Sequence, residues 1–450
     1  MTVRKFEIKP KVIKDLSESE RIVLELLERA VADFGKAYEQ QKKDGFYPEG
    51  ITKKELESEA KNNPQILSPF TLVERVNGKL VATPFHEKYR NLLLPISEKI
   101  QKAAKISKHK AFSKYLKLRA ESLLNGNYRE ADIAWLNVKN SLLDFSIGPF
   151  ERYLDKLMFI KRAYQAHVGL VDTKRTNLAN KIKDTLYSSA QYTTETTHSV
   201  QIPQKGVSLF IERTPLTSGY LADVVFSGEH FPCDLDLTQK YGSRIIVYSS
   251  QLRLKFDKLY YPIFKAIFEE RFASKYSEDL LLMATAWNVL LYELSRQLHK
   301  FEGSRERLKE LYGPIDEANG FASGIQHSKH LLVKGLISQD ELEAIIITHI
   351  VWMFADWLFY QRNKGKESHV IGDSLLLDYY LTSEALKEKG GISWPNFSKI
   401  FFEIEALANK LVHLLQKGSY KETNNFIKKH ANFDNFKRIS QNLAKIHPTL

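Results

Sequence analysis

Apolar residues recur at helical spacing from Ser17 to Gln41, and Ser17 with Glu20 has the form of a capping box, so the pattern predicts a helix there. Gly45 to Asn63 holds a second helix, opened by Thr52 and ended by the run Asn62 to Pro64. Pro84 to Gly126 reads as two long helices, the later one stopped at Gly126. The stretch Asp144 to Gly148 alternates as a strand, Gly148 and Pro149 form a turn, and helical period returns from Tyr153. Thr173 to Leu186 is helical and Tyr187 to Ser199 is a polar connection rich in Ser and Thr. Between Val200 and Ser250 the period becomes two in VSLFIER, YLADVVFSG and SRIIVYSS, the one substantial β region expected. Helical runs follow at 256–272, 278–301, 304–335, 339–363, 370–388, 395–416 and 420–445, with breaks at Gly390, Gly391, Pro395 and Gly418. No repeat of fixed period is present, so the predicted class is mainly α with an embedded β core, an α+β protein.

At 450 residues the chain is too long for one small core, and two lobes or a large helical domain are expected. The most apolar run, Ala344 to Phe359, is short for a membrane span and contains His349 and Asp356, so it is read as a buried helix. Trp287, Trp352 and Trp357 lie in apolar helices and are assigned to the core. The first twenty residues lack the apolar stretch of a secretory signal. Cys233 is the single cysteine; it can form no internal disulfide, which fits a reducing, cytoplasmic setting without membrane attachment. The net charge of +12 is dispersed among acidic residues, as on solvated helix faces, and no nucleic-acid module is visible. Nucleic acid is therefore a weak third alternative among partners.

The chemistry concentrates in Ala286 to Gly303, AWNVLLYELSRQLHKFEG. Tyr292 and Arg296 occupy the two places, four residues apart, where an H-E-x-x-H helix presents imidazoles to zinc, and Glu293 stands where that motif has its Glu. A tyrosine is a poor zinc ligand at neutral pH and an arginine is none, so no metal and no cofactor are expected here. His327 and His330 share a helix face but lie about 15 to 20 Å along the helix from Glu317, and are read as a polar face. Phosphate loops, nucleophile elbows and dinucleotide fingerprints are absent.

Several blocks in order resemble the dipeptidyl peptidase III family of zinc metallopeptidases, bacterial-type members above all, from about residue 85 onward. They are ADIAWLNVKNSLLDFSIGPFERYLDKLMFIKRAY, KFDKLYYPI, LLMATAWNVLLYELSRQLHKFEG, RERLKELYGPIDEANGFASGIQHSKHLLVKGLI, KESHVIGDSLLLDYYL and LLQKGSYKETNNFIKKH. The resemblance implies two lobes with a cleft between them. It divides the chain into an N-terminal extension (1–80), the first part of a β-core lobe (81–172), a connection (173–199), the β region (200–253), a helical lobe (254–390) and C-terminal helices (391–450). It places the first zinc His on Tyr292, the catalytic Glu on Glu293, the second His on Arg296 or Gln297, the third ligand on Glu317 and a stabilising His on His369. The acidic residue expected after Glu317 falls on Phe321, and the substrate-binding stretch falls near Asp236, Leu237, Thr238 and Gln239, where it also departs.

Two carboxylates facing a vacated metal position would repel, so Arg296 is expected to pair with Glu317 in the metal's place. Glu151 and Tyr153 sit at the Gly-Pro joint, as lobe anchors or ligand contacts. Three functions follow in order. The first is a pseudopeptidase whose interlobe cleft binds a peptide, small molecule or partner protein. The second is a metal-independent enzyme using Glu293, Glu317, Tyr292 and His369 for proton transfer on a substrate that is not a peptide. The third is nucleic-acid binding.

Overall fold

The structure is a computed structural model that describes residues 2–193, 206–232, 234–363, 367–389, 392–443 and 446. Cys233, the Gly390–Gly391 break and residues 194–199 of the polar connection lie outside the described residues. The chain forms two compact units, one of Met1–Thr176 with Pro203–Gln251 and one of Asn177–Ile202 with Leu252–Leu450.

The first unit is built on a mixed sheet of six strands. β1 (Val3–Lys5) pairs with β6 (Val207–Gly219), while β4 (Leu143–Glu151), β5 (Ala163–Val171), β6, β8 (Ser243–Tyr248) and β7 (Gly228–Phe231) follow one another in that order. Only the β6–β8 pairing is parallel. Helix α1 (Glu18–Asp44) starts at the predicted capping box, Ser17 accepting from the Glu20 N–H and Glu20 answering at the Ser17 N–H. It packs on β5 and β6 and buries Phe34 and Tyr38 completely. Helices α2 (Arg90–Ile106) and α3 (Lys110–Asn125) join the same core through Leu93, Ile96, Phe112 and Tyr115. Gly126 ends α3 at φ 73°, a left-handed position that costs glycine little.

Five expectations are corrected here. β4 runs on through Gly148 and Pro149, and the helix predicted from Tyr153 is replaced by turns and then β5. Eight of the nine residues of β5 are buried. A strand covered on both faces loses its alternation, so its apolar spacing imitates a helix. β2 (Thr71–Val76) and β3 (Lys79–Pro84) form a further hairpin turned at Asn77 and Gly78, a dipeptide suited to the positive φ both adopt. YLADV forms a short helix, Tyr220–Val224, in place of a strand. In the second unit, β9 (Leu386–Lys389) and β10 (Ile392–Pro395) make a hairpin where 386–388 was read as helix.

The second unit is helical apart from that hairpin, among the described residues. Its elements include α4 (Glu278–Leu298), α5 (Tyr312–Val333), α6 (Gln339–Asn363), α7 (Glu367–Thr382) and α8 (Phe397–Gln416). α5 is the central rod: it touches the other four, and every residue from Pro314 to Ile325 is buried. α6 is the one described helix long and apolar enough to cross a membrane, and 78% of that apolar window is buried inside the protein. Trp287, Trp352 and Trp357 are all buried.

Close approach of α4, α5 and α7 rests on glycine. A Cβ at Gly320 of α5 would come within 2.7 Å of the Tyr292 ring and 2.8 Å of the Arg296 stem, and one at Gly372 of α7 would lie 2.9 Å from the Ala318 backbone nitrogen. These two positions bring the polar groups of three helices to one place.

Candidate functional site

α4 carries Tyr292, Glu293 and Arg296, α5 carries Asp316 and Glu317, α6 carries Asp356, and α7 carries His369. The i, i+4 spacing sets Tyr292 and Arg296 on one face of α4, against Gly320 of α5. The Tyr292 hydroxyl donates to Glu317 Oε2, and its oxygen accepts from Arg296 Nη1 at 2.9 Å. Arg296 holds Asp316 Oδ2 with Nη2 at 2.5 Å and Nε at 3.1 Å, and its Nη2 lies 3.6 Å from Glu317 Oε1. The guanidinium thus does reach Glu317, but Asp316 is its closer partner. On the far side, His369 Nδ1 lies 3.4 Å from Glu317 Oε2 and 3.5 Å from Asp356 Oδ2, which also accepts from Trp352 Nε1 at 3.2 Å.

The site is lined on one side by rings: Tyr292 and Phe321 stand 4.6 Å apart, and Phe321 meets Trp352 edge-on at 5.4 Å. Burial pushes the Tyr292 hydroxyl well above its ordinary range, against the pull of Arg296 and with the push of Glu317 and Glu293. Burial also raises the Glu293 carboxyl, opposed by Arg296 and reinforced by Glu317. Desolvation works against the Arg296 charge, but Asp316 and Glu317 more than offset it, so the guanidinium is held as a cation more firmly than usual.

The structure therefore brings Tyr292, Arg296, Glu317 and His369 together, with Glu293 in electrostatic reach. Sequence reading missed the parts of Asp316 and Asp356. Asp356 had a usable signal as a carboxylate inside the most apolar run of the chain. His327 lies elsewhere on α5 and bonds Ser295 at 2.9 Å, while His299 meets Asn319 at 3.2 Å. Burial lowers both rings, to about 3 and about 4.

The remaining sequence candidates belong to the first unit. Glu151 is folded back on its own chain, accepting from the Arg152 N–H at 2.7 Å, and Tyr153 is exposed with its ring edge-on to Phe159. Asp236, in the stretch read against the substrate-binding segment, accepts from Arg129 at 2.6 Å. That unit also holds Asp144, His167 and Glu212, whose ligand-capable atoms lie within 4.8 Å of one another and which sequence reading did not single out.

No family model matches the chain. Over 99% of its length it superposes on the structure of dipeptidyl peptidase III from Caldithrix abyssi, covering 95% of that chain with a TM-score of 0.87 at 22% identity. The chain has the dipeptidyl peptidase III fold. A second structure, dipeptidyl-peptidase III from Corallococcus sp. strain EGB, covers 99% of this chain and 93% of its own with a TM-score of 0.79 at 19% identity. A curated relative, Nudix hydrolase 3 of Arabidopsis thaliana, is 23% identical over 398 residues, which is 83% of this chain. The chain spans about half the length of that relative, 48%. The α4–α5 site is the place where Tyr292 and Arg296 of α4 meet Glu317 of α5.

Proposed function

We propose that the protein is a pseudopeptidase: a chain with the dipeptidyl peptidase III fold that binds a ligand at the α4–α5 site and does not hydrolyse peptides through zinc there. The observation that carries this reading is Arg296, whose guanidinium is held by Asp316 and bonded to Tyr292 beside Glu317. A peptidase zinc needs imidazole or carboxylate donors and an open position for water. Tyr292 offers a hydroxyl that burial keeps protonated, and Arg296 offers a fixed positive charge, so these residues do not fit the ion. The guanidinium supplies the positive charge that the acidic pair requires.

Arg296 is a quarter exposed, and Glu293 and His369 are partly exposed, so these three are the groups presented to a small molecule, a peptide or a partner protein. A cytoplasmic setting goes with this reading, supported by the single cysteine.

One observation favours a second reading, a metal-independent enzyme. His369 stands 3.4 Å from Glu317, and Glu293 has a raised carboxyl, a pairing suited to proton transfer. The test that addresses the first reading is hydrolysis of dipeptidyl arylamides with and without added zinc. No turnover above the protein-free blank is expected. Zinc-dependent turnover that Glu293→Gln abolishes would overturn the proposal.

A further inference from the structure

We infer that the first unit contains a buried site for one divalent transition-metal ion, with zinc the expected occupant, formed by Asp144 Oδ2, His167 Nε2 and Glu212 Oε2. The three residues come from neighbouring strands β4, β5 and β6, and their side chains are at most 1% exposed. Ser146 pairs with His167 and Asp144 with Gly169, so these positions lie on one face of the β4–β5 ladder. Gly169 makes the approach of Glu212 possible, because a Cβ there would collide with Glu212 Oε2.

The pattern of satisfied and unsatisfied atoms points inward. Asp144 Oδ1 accepts from Trp135 Nε1 at 2.8 Å and Arg244 Nη1 at 3.2 Å, while Oδ2 has no hydrogen-bond partner. His167 Nδ1 meets Ser146 Oγ at 2.9 Å and the Tyr248 oxygen at 3.4 Å, while Nε2 has no hydrogen-bond partner. The Tyr248 proton goes to Glu229 Oε2 at 2.8 Å, which leaves the Tyr248 oxygen able to accept from Nδ1–H; in that tautomer the Nε2 lone pair faces the carboxylates. Both Glu212 oxygens are unpartnered. Buried polar atoms without partners are costly, and here they converge. Outer atoms held by hydrogen bonds and inner atoms left free are the arrangement in which imidazole and carboxylate ligate a metal.

Distances and charge agree. His167 Nε2 lies 3.3 Å from Glu212 Oε2 and 3.9 Å from Asp144 Oδ2. A tetrahedral ion with bonds of about 2.0 to 2.1 Å holds its ligand atoms about 3.3 Å apart, so a small inward shift of Asp144 completes the set. The buried carboxylates of Asp144, Glu212 and Glu229 face a single guanidinium, that of Arg244. Burial favours the protonated forms of Glu212 and Glu229, so the excess of carboxyls over the guanidinium is met either by protons or by a divalent cation. The nitrogen-and-oxygen donor set suits zinc and its first-row neighbours better than calcium or magnesium. The depth of the ligands makes the ion structural, a tie across three strands, and separate from the α4–α5 site.

The competing occupant is a proton shared by Asp144 and Glu212. Full-length protein, unfolded with chelator and refolded with zinc, is gel-filtered and its metal measured by elemental mass spectrometry. About one equivalent is expected, retained in Glu317→Gln and reduced at least about tenfold in Glu212→Gln and His167→Gln. X-ray absorption of the refolded wild type needs no variant and covers the case in which these two fail to fold; it should show one imidazole among oxygen and nitrogen ligands at about 2.0 to 2.1 Å and no sulfur. Under about a tenth of an equivalent in refolded wild type, metal lost from Glu317→Gln, or a spectrum with two or more imidazoles would each overturn the assignment.

Discussion

Glu293 stands where an H-E-x-x-H motif has its Glu, in surroundings that do not favour its charge. Burial raises its carboxyl from the ordinary value of 4.5, and Glu317 adds to the rise. A raised carboxyl means that the folded chain binds the proton more tightly than the unfolded chain, so this group favours the fold at low pH. That contribution is lost as pH rises, and above the ordinary glutamate range the raised carboxyl counts against the folded state. Glu293→Gln should therefore raise the urea midpoint at pH 7, with the gain shrinking to nothing as pH falls below about 4, under the ordinary glutamate range. An equal effect at both pH values would show that Glu293 is not held in a desolvated place. Arg296 is the converse case, a cation kept because Asp316 and Glu317 surround it.

At the scale of elements, the site exists because α4, α5 and α7 approach closely at glycines. Replacing Gly372 by alanine puts a methyl against the backbone at Ala318 and Pro314, 2.9 and 3.0 Å away, and backbone cannot step aside as a side chain can. Overpacking of this kind costs about 1 to 3 kcal/mol, more than the ~1 kcal/mol that alanine gains over glycine in a helix. At Gly324 the nearest atoms are 3.3 to 3.4 Å away, so the same helix gain offsets the smaller crowding. Gly372→Ala should lower the urea midpoint and Gly324→Ala should leave it nearly unchanged. The reverse order would mean that α7 is not seated on α5 as described. Elements were legible in the sequence where one face met solvent, as in α1 with its capping box. They were illegible where both faces were covered, as in β5, because two-sided burial erases the period.

For the whole molecule, the blocks from residue 85 onward pointed to the dipeptidyl peptidase III fold, and the superposition over 99% of the chain bears that out. Tyr292, Glu293 and Arg296 could be singled out because a helical motif has fixed spacing, whereas Glu317 and His369, on other helices, came only from the resemblance. Asp316 as the main partner of Arg296 was not, since only the packing of α5 on α4 decides which of two adjacent carboxylates faces the guanidinium. The Asp144, His167 and Glu212 group was hidden for a similar reason: three strands far apart in sequence bring it together. In the proposed pseudopeptidase, the Arg296 guanidinium takes over only the charge balance of Asp316 and Glu317 that a zinc ion would otherwise supply. Anomalous diffraction at the zinc edge, from crystals grown with excess zinc, tests this most directly. No peak is predicted among Tyr292, Arg296 and Glu317, with the Arg296 head group still on Asp316. A zinc peak bonded to Glu317, with Arg296 swung away, would contradict the account.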